Sequence, residues 1–124
     1  MTFKQIKRTD TFEKDLKGLK KRFRTLPEDL ETFISAQLKL FHKLNIDNKG
    51  IKQIPNLDKT FPPIYKARKF ACKSLKGKGA QSGIRVIYAY YEEEDRIDFI
   101  QIYFKSDRSN HDSERINEYL KDRE

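Results

Sequence analysis

Ser82-Gly83-Ile84-Arg85-Val86-Ile87-Tyr88-Ala89-Tyr90-Tyr91, the acidic turn Glu92-Glu93-Glu94-Asp95, and Arg96-Ile97-Asp98-Phe99-Ile100-Gln101-Ile102-Tyr103-Phe104 set the architecture of this chain. Two runs of β-branched and aromatic residues separated by four polar residues predict a long β-hairpin. The segment Ile64 to Cys72 predicts a strand ahead of it, entered through Pro62-Pro63, where a missing amide is tolerated. Lys76-Gly77-Lys78-Gly79-Ala80-Gln81-Ser82-Gly83 is the turn-rich connection between them. Consecutive hairpins of this kind imply an antiparallel sheet.

Upstream the period changes from two to 3.6. Phe12, Leu16, Leu19 and Phe23 recur on one helical face, with Lys14, Lys17, Lys20 and Lys21 opposite. Asp10 is the expected start, with Glu13 in capping-box spacing. Pro27 suits the first turn of a second helix, and Leu30, Phe33, Ile34, Leu38, Phe41 and Leu44 form its apolar stripe. Phe3 to Lys7 reads as a short first strand. Asn45 to Thr60 reads as a loop tacked down by Ile51, Ile54 and Leu57. After the hairpin, Lys105 to His111 is a polar loop. Asp112 or Ser113 then caps a last helix with Ile116, Tyr119 and Leu120 on one face. The expected fold is α+β: an antiparallel sheet with a helical hairpin packed on one face, in the order β-α-α-β-β-β-α.

The 124 residues fit one domain, 1–124, with no interior linker. Hydrophobic residues (36%) and charged residues (37%) balance, and nine Phe with six Tyr suffice for a modest core. A single cysteine, Cys72, excludes an internal disulfide and a cysteine-based zinc site, and reads as a small buried hydrophobe. His42 and His111 lie far apart and in no ligand-spaced cluster, so no metal and no cofactor are expected. The glycine pattern at Gly77, Gly79 and Gly83 misses the dinucleotide fingerprint by one position and lies between strands. No apolar run reaches membrane-spanning length and the N-terminus lacks a signal-like apolar block, so a cytoplasmic location without membrane association is expected.

The net charge of +8 is confined to one segment. Between Lys59 and Tyr91 there is no acidic residue but eight basic ones, which leaves 19 basic against 19 acidic residues elsewhere. That asymmetry points to a polyanionic partner, with nucleic acid ahead of an acidic protein segment. Lys66 and Arg68, two apart on a strand, share a face of the sheet, and Arg85 stands near them on the next strand. Three such cations repel one another unless an anion joins them, and a phosphodiester is a suitable one. Lys105 and Arg108 close the same site, and Lys69 and Lys73 extend the cationic surface. His111 is either an exposed loop histidine or a proton carrier at neutral pH. Alternation puts Tyr91 on the face of Arg85, where it is the candidate to stack on a base.

Tyr65-Lys66-Ala67-Arg68-Lys69-Phe70, the motif Ser82-Gly83-Ile84-Arg85-Val86-Ile87-Tyr88, and a last strand ending in Lys105 resemble the RelE/ParE superfamily of bacterial toxins. The resemblance spans Phe3 to Leu120. It implies a cognate antitoxin as partner. For RelE-like members it implies metal-independent cleavage of ribosome-bound mRNA by attack of a ribose 2′-OH on the neighbouring phosphate. Carried over by position, Lys66 and Arg68 match the paired basic residues of the central strand. Arg85 matches the phosphate-binding arginine, and Lys105 and Arg108 match the basic loop. The sequence departs at Ser106, where RelE proper has an arginine, and at Asp112, where it has a tyrosine. His111 then stands as the general base or acid. The alternatives are a ParE-like gyrase inhibitor, a degenerate toxin that only binds its antitoxin, and a plain RNA-binding module.

Overall fold

The computed structural model describes residues 2–122. The chain runs β1 (Gln5–Arg8), α1 (Asp10–Lys20), α2 (Leu26–Phe33, continuing through Lys43), β2 (Ile51–Gln53), β3 (Ile64–Ala67), β4 (Ile84–Tyr91), β5 (Arg96–Phe104) and α3 (Ser113–Lys121). The strands form one sheet in the order β1-β5-β4-β3-β2. As the hairpins imply, β2–β3, β3–β4 and β4–β5 are antiparallel. The edge pair β1–β5 is parallel, and α1 and α2 carry the chain from β1 to β2 on the opposite edge.

Local chemistry accounts for each element. α1 is capped by Thr9, whose hydroxyl accepts from the Phe12 N–H at 3.2 Å. Asp10 sits one position inside, and Glu13 pairs with Arg8 instead of closing a capping box. α2 opens with Pro27 in its first turn, followed by Glu28 and Asp29 near its positive end. From Ile34 to Lys43 this helix widens into i→i+5 turns, and it ends with the Leu44 N–H on the Lys39 carbonyl. β2 lies inside the segment expected to be a loop. Three residues, only one of them buried, give too short an alternation to read as a strand, and pairing with Tyr65–Ala67 makes it one.

Two apolar layers flank the sheet. The larger one fills the space under α1 and α2: Phe12, Leu16, Leu30, Phe33 and Leu38 meet Val86, Tyr88, Phe99 and Ile102. The smaller one lies on the opposite face, where Ile116, Tyr119 and Leu120 of α3 cover Ile64, Ile87, Ala89, Tyr91 and Ile100. The helical hairpin thus occupies one face, as expected, while α3 takes the other. Ile51 joins the first layer, and Ile54 and Leu57 pack on the second. Each large apolar side chain buried this way contributes on the order of 1.5–3 kcal/mol. No helix among the described residues is long and apolar enough to cross a membrane.

Candidate active site

α3 leaves one end of its face uncovered, and the strand-borne cations gather there. Lys66 on β3 stands opposite Ile87, two residues along β4 from Arg85, so Lys66 and Arg85 emerge on the same side. Arg85 in turn pairs with Tyr103 of β5, and Lys105 lies two residues beyond Tyr103. With Arg68, Ser109 and Asn110 these residues line a cleft of about 300 Å3. None of the lining side chains is acidic. Among the described residues, Lys66, Arg68, Arg85 and Lys105 have no carboxylate within ion-pair distance.

Hydrogen bonds hold the cleft open. Arg85 Nη1 donates to the Arg68 carbonyl at 2.8 Å, which ties β4 to the end of β3. Lys66 Nζ donates to Asn110 Oδ1 at 2.7 Å. The same oxygen accepts from the His111 N–H at 2.9 Å, so Asn110 docks the loop after β5 onto the cationic strand. Burial lowers the Lys66 pKa, and the charges of Arg68 and Arg85 lower it further. The cations therefore feel one another. Tyr103 is almost fully buried at the floor. Desolvation raises its pKa, against the opposing pull of Arg85, Arg108 and Arg68.

His111 follows Asn110 and is half-buried beside the cleft without lining it. Its Nδ1 is buried and has no hydrogen-bond partner among the described residues. Burial lowers its pKa, and Lys66 and Arg108 lower it further against a smaller opposing effect of Asp112. The imidazole is therefore neutral at pH 7, the form that accepts a proton. Arg108 folds back with Nε donating to the Asn110 carbonyl at 2.7 Å; it lines not the cleft that Lys105 helps to close but a neighbouring pocket beside α1, with Arg22 and Asp107.

Three further candidates lie elsewhere. Lys69 donates from Nζ to the Asn48 carbonyl at 2.6 Å, with its stem over Gly50, and turns away from the cleft because alternation puts it on the other face. Lys73 pairs with Glu28 at 3.2 Å, and its backbone N–H bonds Asp29 at the start of α2. Tyr91 is only 5% exposed, with its hydroxyl 2.7 Å from that of Tyr119 and the Arg96 guanidinium over its ring at 4.3 Å. It is part of the α3 interface and not available to stack on a base. The expectation of an open face fails at Tyr91 because α3 covers that end of the strand. Tyr103, Ser109 and Asn110 escaped sequence reasoning as cleft residues. The two-residue step from Tyr103 to Lys105 was the available signal for the tyrosine, while nothing local marks Ser109 or Asn110.

The described residues contain no group of three or more His, Cys, Asp or Glu side chains placed to hold a metal ion. No family model matches the chain. No curated protein matches it significantly either. Among solved structures it is similar to a chain of the archaeal RelE–RelB complex from Pyrococcus horikoshii OT3. The TM-score is 0.50 and the identity 17%, with 85% of this chain and 97% of that one covered. A five-stranded sheet with a helical hairpin on one face, superimposing over that length, gives this protein a RelE-like fold.

Proposed function

We propose that the protein is the toxin of a toxin–antitoxin pair and acts as a metal-independent endoribonuclease on ribosome-bound mRNA. The observation that carries the reading is the convergence of Lys66, Arg68, Arg85 and Lys105 on one cleft with no acidic side chain in its lining. Such a site takes a phosphodiester. In the reaction the ribose 2′-oxygen attacks phosphorus, the P–O5′ bond breaks, and a 2′,3′-cyclic phosphate and a 5′-hydroxyl result. His111, neutral and adjacent, accepts the 2′-OH proton. Lys66 donates the proton to the leaving 5′-oxygen, its acidity raised by burial and by Arg68 and Arg85. Arg85 and Arg68 meet the charge that develops on the phosphoryl oxygens. Fixed cations aimed at developing charge are usually the largest catalytic contribution.

Arg85→Ala is the direct test. Cleavage of message and growth inhibition should fall about 10²–10³-fold. Unchanged toxicity, with 5′ ends of cellular messages still cut in phase with codons, overturns the phosphate site. A binding-only protein is the second reading, favoured by His111 standing beside the cleft and not in its lining. That protein would still capture its antitoxin but leave messages intact. A gyrase poison would induce a DNA-damage response with messages uncut. The proposed antitoxin brings acidic and apolar residues to the basic end of the sheet, as a helix or extended segment. The solved relative is itself a complex of RelE with RelB.

A further inference from the structure

A second concave feature, away from the cationic cleft, lies at the other end of the sheet, on the face covered by the helical hairpin. It is a cavity of about 500 Å3 walled by Phe41, His42, Phe61, Tyr65 and Tyr90. Its rim carries Asp47 and Glu92, and no lysine or arginine lines it. In a chain of net charge +8, a ligand-sized cavity with only acidic charges at its mouth is a local reversal of sign.

The rings meet in both ways: Tyr65 stacks on Tyr88 at 5.5 Å and 20°, which covers one of its faces, while its other neighbours meet it edge-on. The His42 and Tyr65 planes cross at 77° with centroids 4.9 Å apart, and Phe41 meets Tyr65 at 73° and 5.9 Å. His42 lies over Tyr90 at 4.0 Å. The wide helical turns between Ile34 and Lys43 bring the consecutive residues Phe41 and His42 both to this cavity. His42 bonds the buried Tyr88 hydroxyl at 2.7 Å, and desolvation, with Lys43 adding to it, pushes its pKa down to about 4. The imidazole is thus a neutral wall at physiological pH. Burial raises the pKa values of Tyr65 and Tyr90, and Glu92 raises both further, so its negative charge is felt at the ring hydroxyls. Among the described residues Glu92 has no basic partner, and Asp47 spends one oxygen on the Lys49 backbone N–H at 2.7 Å.

We propose that this aromatic box binds an organic cation, a quaternary ammonium or guanidinium group, with the cation against the faces of Tyr65 and Tyr90 and its charge met by Glu92 and Asp47. Ring faces carry the negative lobe of the aromatic quadrupole and attract such cations best where water is excluded. A phosphate-bearing ligand meets two carboxylates at the mouth and is disfavoured. The site is separate from the cationic cleft in place and in charge, and the proposal stands whether or not the ribonuclease reading does.

The test is aromatic NMR titration of the intact protein with choline, with its neutral isostere 3,3-dimethylbutanol, with an N-acetylated, amidated Gly-Arg-Gly peptide, and with adenosine. Saturable shifts of the Tyr65, Tyr90 and Phe61 rings by choline or the arginine peptide, and none by the isostere, are expected. Tighter binding of choline than of the peptide identifies a free small cation as the source. The reverse identifies a side chain of a partner protein. Glu92→Gln combined with Asp47→Asn, both exposed and outside the core, should weaken the cation roughly tenfold. Equal binding of the isostere, binding of adenosine in place of the cations, or no shift with any probe overturns the proposal.

Discussion

Single side chains set two pH responses, one on activity and one on stability, and both losses fall on the acidic side. His111 works as a base only when neutral, and burial with Lys66 and Arg108 holds its pKa below the ordinary value of 6.5. Single-turnover cleavage should therefore fall as pH drops through the lowered His111 value, hold a plateau around neutral pH, and fall again at alkaline pH as Lys66 loses its proton. His111→Ala should remove that acidic limb along with most of the rate, about 10²–10⁴-fold for a lost general base. A variant with the wild-type profile would assign the proton transfer to another group. His42 acts on stability instead. Its folded pKa of about 4 lies below the unfolded 6.5, so the unfolded chain binds the extra proton first. The stability that depends on its neutral form is complete above pH 6.5 and is lost progressively as pH falls towards 4. The loss should be on the order of 2 kcal/mol, discounted for partial exposure. Urea unfolding at several pH values should show the drop, and His42→Phe should flatten it.

At the level of elements, caps and a buried polar cluster decide how the helices attach. Because Thr9 and not Asp10 provides the capping oxygen, Thr9→Ala should cost about 1 kcal/mol in denaturant unfolding. Asp10→Ala should cost only a few tenths through the helix dipole. Equal costs would put the cap at the wrong residue. α3 is fastened to the sheet by Asp98, which is 2% exposed, accepts from the Tyr119 hydroxyl at 2.5 Å and takes the two-pronged Arg96 guanidinium at 2.8 and 2.7 Å. Removing the carboxylate takes the bidentate partner from a half-buried arginine and one partner from the Tyr119 hydroxyl, which keeps its bond to Tyr91. Asp98→Ala should therefore destabilise by about 3–5 kcal/mol. Tyr119→Phe, which removes one hydroxyl, should cost about 1–3 kcal/mol by the same unfolding measurement. The β4–β5 hairpin and α1 were legible because their apolar periods run over many residues. β2 and the widened turns of α2 were not, since one is created by its neighbour strand and the other is a variant of helix with the same apolar residues.

For the whole molecule, the charge map is the functional argument. An uncompensated cationic cleft and an acidic aromatic box occupy opposite ends of one sheet. Four cleft cations engaging single-stranded RNA should give a log–log salt dependence of binding with a slope of about −3. A flat response would remove every nucleic-acid reading at once. The sequence by itself determined the α+β class, the helical hairpin, the central strands and the confinement of excess positive charge to residues 59–91. These follow from periodicity and composition, which act over short stretches of chain. It also brought together Lys66, Arg68 and Arg85, because two-residue alternation and hairpin pairing are local rules. Tertiary structure alone decided that β1 joins β5 in parallel, that α3 seals Tyr91 beneath it, and that Lys69 and Lys73 turn elsewhere. It also placed Tyr103 and Asn110 in the cleft. Each of these depends on contacts between segments distant in sequence, whose geometry is set by which apolar faces must share a core.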